Sequence, residues 1–228
     1  MSDEGRTAYP YKAGYWSSHQ QLPRLVRPGE RVLDVGCGEG FIASALRARG
    51  CEVVGIDHHI SSAAAASCAR TYAHDLEQGL ALDHEPPFQA ILLGDVLEHV
   101  QAHDQLLDHC HQRLQPGGRL VVSTANVAHL VIRLQLLFGR FEYASRGILD
   151  RTHVVLFTLR SISRLLERHR FRILEVRVTP LPAEALAPHA PHRWWVRALN
   201  AIQYALARCW KTLFAFQFIL IAEPVSVR

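Results

Sequence analysis

The feature that most constrains this chain is an apolar strand that runs into a glycine-rich turn and then into a helix. Residues 32–40 form the strand and the turn, and the helix that begins near Glu39 carries apolar Phe41, Ile42 and Leu46. The glycines of the turn have no Cβ to keep a ligand away from the backbone, and the amide end of the helix points to the same place. This construction predicts a pocket for a nucleotide or an adenosyl group.

The spacing of the glycines separates two classes of pocket. A dinucleotide-binding loop has its third glycine three residues after the second, but Phe41 occupies that position and Gly40 comes two residues after Gly38. The run resembles motif I of class I S-adenosylmethionine-dependent methyltransferases, Val-Leu-Asp-hydrophobic-Gly-x-Gly-x-Gly. S-adenosylmethionine is therefore the expected cofactor. The alternatives are an NAD-dependent oxidoreductase, a non-catalytic S-adenosylmethionine-binding or partner-binding module, and a βα turn without a ligand.

Three later stretches extend the resemblance along the chain. The run Asp-Val-Leu-Glu-His-Val at residues 95–100 resembles the fourth motif of small-molecule methyltransferases, including the quinone O-methyltransferase type. Leu-x-Pro-Gly-Gly at 114–118 precedes an apolar strand, as in the same family. Residues 125–153 resemble a bacterial subgroup associated with glycan and secondary-metabolite pathways, although Ala125 replaces its usual proline. The resemblance implies an α/β, Rossmann-like fold: a seven-stranded, mostly parallel sheet of order 3-2-1-4-5-7-6, with strand 7 antiparallel and helices on both faces.

The cofactor site is expected at the carboxyl ends of the strands, where ligands bind in open α/β sheets. Asp57 ends the second strand nineteen residues after Gly38, which suits an acid that accepts hydrogen bonds from ribose hydroxyls. By position in the family, Asp75 accepts from the adenine amino group and the backbone of Leu76 meets the ring. The cofactor-binding residues are predicted to be Asp34, Gly36, Cys37, Gly38, Asp57, His58, Asp75, Leu76, Gly94, Asp95 and Val96.

The catalytic residues are predicted to be His153, Asp150 and His99. Transfer to a hydroxyl needs a base, and His153 is our choice, with Asp150 or Arg151 orienting it or the substrate. His99 is interpreted mainly as a pocket-lining residue. The alternative for His153 is a loop histidine that bonds locally, since a chain with fourteen histidines makes any single one weak evidence.

Two kinds of chemistry are disfavoured. His99 and His103 are one helical turn apart, but a zinc protease site needs an acid inside a His-Glu-x-x-His pair, so no metal is predicted. Methyltransferases of nucleobase amino groups have an Asn/Asp-Pro-Pro-aromatic run where this chain has residues 95–98, so a small-molecule or sugar hydroxyl is the better acceptor.

Composition predicts one domain, residues 1–228, because 49% of the residues are hydrophobic and the length suits a single α/β core. Residues 1–30, with Tyr9, Tyr11, Tyr15 and Trp16, are expected to form a lid, or else to pack on the sheet. Residues 126–158 and 180–211 are expected as substrate-side insertions. A net charge of +4 with scattered basic residues gives no nucleic-acid footprint.

The remaining expectations concern location and partners. Five widely spaced cysteines without a Cys-x-x-Cys pair and a start lacking signal-peptide character predict a cytoplasmic protein. Either a monomer or a homodimer is expected. A helix over 192–208 mixes basic and aromatic residues, which suits peripheral membrane contact or, alternatively, cover for the sheet edge. Its Trp195, Leu199, Ile202 and Leu206 share one side.

The pattern also sets approximate element bounds. Helices are predicted over 60–70, from about 100 to 114 with Leu106, Leu107, Cys110 and Leu114 on one face, and after a Thr158 cap. Strands are predicted at 51–57, 72–76, 90–93, 119–124, 171–178 and 213–222.

Overall fold

The computed structural model describes residues 17–181 and 194–225. Its strands form one seven-stranded sheet. They are β1 (Arg31–Val35), β2 (Glu52–Asp57), β3 (Arg70–Ala73), β4 (Phe88–Gly94), β5 (Leu114–Ala125), β6 (Phe171–Thr179) and β7 (Gln217–Pro224). Their order is β3-β2-β1-β4-β5-β7-β6, and β7 runs antiparallel to both neighbours. The predicted α/β fold and strand order are confirmed.

Helices cover both faces of the sheet. They are α1 (Ser18–Gln21), α2 (Phe41–Arg47), α3 (Ser62–Ser67), α4 (His103–Arg113), α5 (Leu130–Leu137), α6 (Leu159–Arg168), α7 (Trp194–Cys209) and α8 (Lys211–Phe214). Among the residues the structure describes, none of the helices has the length and apolar character needed to span a membrane.

Alternate residues of the central strands supply two separate cores. Leu33 and Val35 point to one face, where α4 and α6 pack, whereas Val32 points to the other, where α2 packs. Strands buried on both sides read as continuous apolar runs, which is why residues 90–93 gave so clear a strand signal. The fold is thus a three-layer sandwich, and its parallel strands all end at one edge.

Helix α6 begins where the sequence placed its cap. The Thr158 hydroxyl accepts the Ser161 backbone N–H at 3.1 Å, and the Ser161 hydroxyl accepts the Thr158 backbone N–H at 2.9 Å. These reciprocal bonds satisfy amide groups that the first helical turn leaves free. The inner face of the helix, Ile162, Leu165 and Leu166, is buried as predicted.

Several predicted bounds were wrong. Helix α3 ends at Ser67, and β3 occupies residues 70–73 instead of 72–76, because Arg70 pairs with Val54 of β2. Leu114 belongs to β5 and pairs with Phe88 instead of completing the face of α4. Residues 213–216 precede the last strand, which starts at Gln217, since four residues from Lys211 form α8.

The predicted lid and late insertion fall partly outside the described residues. Tyr9, Tyr11, Tyr15 and Trp16 lie there, as do residues 182–193. Of the predicted C-terminal helix, the described part is α7, which buries Val196 and Ala207. The apolar side that sequence spacing indicated is the outer one, because Trp195, Ile202 and Leu206 are exposed.

We expect that only glycine fits at position 40, where the start of α2 packs closely against α3. It has φ of +72°, and a Cβ there would lie 2.8 Å from the Ala64 Cα, a backbone atom that cannot move aside cheaply. Gly40→Ala should cost about 1–2 kcal/mol of strain and about 1–3 kcal/mol more of overpacking. Gly29→Ala is the matched control, because Gly29 has φ of +78° and open space around it. Equal losses in urea unfolding would contradict the packing argument.

Candidate active site

The glycine turn after β1 lies at the carboxyl edge of the sheet, between the ends of β2 and β4. Gly38 has φ of +50°, and a Cβ there would have no protein atom within 4 Å. Its backbone N–H donates to Asp57 Oδ2 at 2.9 Å, and the His59 N–H lies 3.3 Å from Asp57 Oδ1. Asp57 is therefore half-buried beside the turn, at the end of β2 as predicted, and it orders the open backbone of Gly38. His58, next to it, is exposed.

Asp34 is a buried carboxyl two residues before the turn. Burial, and then the charge of Asp57, raises the pKa of Asp34 to about 7. Its Oδ2 is buried and has no hydrogen-bond partner among the described residues. A buried carboxylate oxygen without a partner is costly, and a cationic amine at that oxygen would remove the cost. Asp34 thus fits a ligand that carries an ammonium group.

Cys37 contributes only its backbone to the turn. Its thiol faces inward, where a Cβ added to Gly55 would lie 3.0 Å from the Cys37 sulfur and 2.8 Å from that of Cys68. The hydrogen bond with Cys68, followed by burial, raises the pKa of the Cys37 thiol. The protonated thiol therefore packs the floor beneath the turn.

Asp75 and Leu76 lie beyond β3 instead of at its end. The Asp75 Oδ1 accepts the Glu77 backbone N–H at 3.0 Å and caps the short 3-10 helix Leu76–Gln78. Asp75 is exposed and Leu76 is half-buried. The cap fixes the loop and leaves the predicted adenine contacts of these two residues as predictions.

Asp95 is held by three side chains from distant parts of the chain. Its carboxylate accepts the hydroxyl of Ser123, the hydroxyl of Ser18 at 3.3 Å and the Gln217 amide at 2.7 Å. The backbone φ of Asp95 is +58°, a strained value for a residue other than glycine. Asp95 therefore joins the end of β4 to α1, β5 and β7.

The neighbours of Asp95 shape the wall of the turn. The Val96 side chain fills the space beside Gly36, because a Cβ added to Gly36 would lie 2.6 Å from Val96 Cγ2. Gly94 leaves room for Leu22, whose Cδ1 would be 3.1 Å from an added Cβ. The partners Ser18, Ser123 and Gln217 were not predicted, because residues as far as 77 and 122 positions from Asp95 carry no local signal.

His99 and His153 form a pair next to this wall. Their ring centroids are 4.8 Å apart, with the planes at 68°. The Nδ1 of His153 lies 2.9 Å from the Ile148 carbonyl, and the Nδ1 of His99 lies 3.1 Å from the Thr152 carbonyl. A carbonyl only accepts, so each Nδ1 carries the proton. In the neutral rings, each Nε2 therefore has a free lone pair.

The environment keeps His153 neutral. Burial, and then the charge of His99, lowers the pKa of His153. Asp150 is buried, and its Oδ1 accepts the N–H of Thr152 at 2.9 Å and the Thr152 hydroxyl at 2.8 Å. The Ile148 carbonyl thus bonds the His153 ring, and Asp150 holds the turn that carries it. Orientation of His153 or of the substrate by Asp150 or Arg151 stays a prediction.

Glu98 is a buried carboxyl that was not predicted as part of the site, although it stands inside the recognised 95–100 run. Its Oε1 accepts the Ala125 N–H at 3.3 Å, and its own carbonyl accepts the N–H groups of Val154 and Val155. Burial, and then the charge of Asp95, raises the pKa of Glu98 to about 8. Glu98 joins the β4 loop to the segment that carries His153.

Comparison with known proteins gives a consistent result. A family model described as "Methyltransferase domain" matches residues 14–176. A ubiquinone biosynthesis O-methyltransferase of Xylella fastidiosa is 32% identical over 170 residues, which are 63% of this chain and 66% of the relative. One of Psychrobacter arcticus is 36% identical over 125 residues, 50% of this chain and 49% of the relative. The chain thus spans about half to just under two thirds of the length of these relatives.

Solved structures of low sequence identity share the fold. A 1,6-didemethyltoxoflavin-N1-methyltransferase of Burkholderia thailandensis, with S-adenosylhomocysteine bound, has a TM-score of 0.60 at 17% identity and covers 95% of this chain and 80% of its own. An S-adenosylmethionine-dependent methyltransferase of Mesorhizobium loti has a TM-score of 0.60 at 20% identity and covers 91% of this chain and 98% of its own.

Proposed function

The chain belongs to the methyltransferase-domain family, and from that premise we propose that it moves the methyl group of S-adenosylmethionine to a hydroxyl group of a small molecule or sugar. The observation that carries the proposal is the His99–His153 pair, in which His153, with its Nδ1 bonded to the Ile148 carbonyl, packs against a histidine five residues after the end of β4. When bound, S-adenosylmethionine supplies a methyl carbon already activated by its positive sulfur.

The residues around the turn fit such a cofactor. The open backbone at Gly38 leaves room for it, and Asp57, which accepts the Gly38 N–H, is proposed to accept from ribose hydroxyls. The unpartnered Oδ2 of Asp34 suits its ammonium group. Asp75 and the backbone of Leu76 remain our candidates for the adenine, and Asp95 and Val96 for the wall of the pocket. Gly36, Cys37, His58 and Gly94 complete the proposed binding set.

The acceptor side follows from the two histidines. His153 Nε2 takes the hydroxyl proton, because its Nδ1 is already protonated and bonded to the Ile148 carbonyl. His99 packs against that ring and lines the pocket. Ile148 and Leu149, which precede the turn that carries His153, are buried in a cluster with Ala125 and Ile132. Asp150 is a positioning residue that holds the turn through Thr152.

The acceptor is proposed to be an oxygen. The relatives carry the name ubiquinone biosynthesis O-methyltransferase, and residues 95–98 lack the Pro-Pro-aromatic run that suits planar amines. Residues 1–30, 126–158 and 180–211 are proposed to cover the acceptor within a single domain, 1–228. Contact of Ser18 with Asp95 supports this for the described part of the first segment. A cytoplasmic location, a monomeric or homodimeric state and membrane contact through α7 stay predictions.

The test is transfer of labelled methyl groups to a panel of acceptors. The panel contains a phenol, a catechol, a monosaccharide and, as a matched amine, aniline. We expect label on one of the hydroxyl acceptors and S-adenosylhomocysteine in equal amount. Preferential labelling of aniline would overturn the choice of oxygen. Binding of S-adenosylhomocysteine without turnover on any acceptor would favour the non-catalytic binding module.

A further inference from the structure

The insertion after β5 carries an apolar projection that nothing in the described chain covers. Helix α5 buries only Ile132, and every residue from 133 to 147 is exposed. Leu137 and Phe138, at its end, are 75% and 76% exposed. Leu134, Leu136 and Phe141 are exposed as well. Single exposed apolar side chains are normal, but a cluster of large ones on the surface marks an interaction site.

The base of this projection is fixed to the fold. The Asn126 side chain donates to the Ala215 carbonyl at 2.8 Å, and Arg133 donates to the Ala128 carbonyl at 2.6 Å. At the other end, the Ala144 N–H donates to the Leu149 carbonyl at 2.7 Å, so the chain returns to the core. Both ends of the projection are therefore hydrogen-bonded to the rest of the fold, and its exposed tip is not a frayed chain end.

The charges around the tip are mainly basic. Residues 130–147 contain Arg133, Arg140 and Arg146 but one acid, Glu142, and all four are exposed. Apolar side chains bordered by arginines suit the interface of an anionic bilayer, where the apolar groups enter the acyl boundary and the guanidinium groups meet phosphates. A second copy of the chain would bring the same arginines together, which like-charge repulsion opposes.

A second basic and aromatic surface adjoins the base. The Arg133 guanidinium donates to the Thr212 carbonyl at 3.3 Å, and the Trp210 indole donates to the Thr212 hydroxyl at 3.1 Å. Trp210 is 58% exposed, and α7, which precedes it, contains Arg197 and Arg208 and no acidic residue. The apolar projection thus continues into α7 with the same sign of charge.

We propose that residues 130–147 dock on an anionic membrane surface, with Leu137 and Phe138 inserted among the lipids. The docking rests on exposure and charge and does not depend on the proposed methyl transfer. It would present the segment that carries His153, only six residues beyond the projection, to molecules held at that surface.

Cosedimentation of the full chain with vesicles tests the proposal. The vesicles are phosphatidylcholine alone, or phosphatidylcholine with phosphatidylglycerol. We expect the wild type to sediment with the anionic vesicles and to be released by salt. Leu137→Asp with Phe138→Asp should lower the bound fraction about tenfold or more, because two side chains that enter the lipid are lost. Leu174→Asp, on the exposed side of β6, is the matched control and should bind as the wild type does.

Three further measurements separate membrane docking from misfolding and from self-association. Arg140→Gln should weaken binding to anionic vesicles, and titration with S-adenosylhomocysteine should be the same in all variants if they fold alike. Absence of wild-type binding to anionic vesicles, or unchanged binding by the Leu137/Phe138 variant, would overturn the proposal. Light scattering that shows a wild-type dimer split by that variant would assign the surface to a second copy instead.

Discussion

Replacing His153 by alanine is expected to lower kcat by about 10²–10⁴-fold, the usual contribution of a positioned general base. The reason is geometric. The Ile148 carbonyl fixes the Nδ1 proton, so the Nε2 lone pair is the only basic site of the ring. Binding of S-adenosylhomocysteine should change little, because His153 is proposed to contact the acceptor and not the cofactor. Single-turnover transfer to the best hydroxyl acceptor measures the effect.

The pH profile separates catalysis from simple structural support. Protonation of His153 inactivates the base, and its pKa is lowered, so the acidic limb of kcat should lie below pH 6.5. His99→Phe keeps a ring against His153 but removes the electrostatic interaction with His99 that lowers the pKa of His153, so the limb should move to higher pH. A limb that does not move, or a His153→Ala enzyme with normal kcat, would contradict the assignment.

Stability of the cofactor-free protein is expected to fall as pH rises from mildly acidic to alkaline. The folded-state pKa of Asp34 is raised from 3.8 to about 7, so its contribution is fully present below the lower value and is lost as pH rises through the higher one. Glu98, with its pKa raised from 4.5 to about 8, acts in the same direction. A rise in pKa of this size corresponds to a cost on the order of 4 kcal/mol for the ionised Asp34.

Asp34→Asn removes this cost and is the direct test. Urea unfolding at about pH 5 and about pH 8 should show the variant gaining on the wild type at the higher pH. Asp83→Asn, at an exposed carboxyl, is the matched control and should keep the wild-type slope. Equal slopes for the wild type and Asp34→Asn would mean that Asp34 does not titrate in this range.

Much of the fold could be predicted where local patterns decide the structure. The strand, turn and helix around Gly38 form because apolar periodicity and glycine spacing agree there. Thr158 begins a helix because its hydroxyl and Ser161 satisfy free amides of the first turn. The order of the strands came from the family resemblance, since periodicity says nothing about which strands are neighbours.

The rest depends on contacts between distant residues. The position of β3 is set by the pairing of Arg70 with Val54, which sequence spacing does not reveal. The partners of Asp95 come from α1, β5 and β7, which lie far from it in the sequence. The group that orients His153 is the backbone carbonyl of Ile148, and the sequence does not show which carbonyl a histidine ring will contact. In α7, the spacing of Trp195, Ile202 and Leu206 showed that they share one side of the helix, but it could not show that this side is exposed.

The pocket for S-adenosylmethionine underlies every proposal about catalysis, and calorimetric titration with S-adenosylhomocysteine tests it without any acceptor. The Asp57 carboxylate accepts the Gly38 backbone N–H at 2.9 Å and is proposed to accept from the ribose hydroxyls, so Asp57→Ala removes both hydrogen-bonding roles. We expect about micromolar binding by the wild type and a loss of about 1–3 kcal/mol in the variant. No binding by the wild type, or binding of NAD in its place, would contradict the assignment of the pocket.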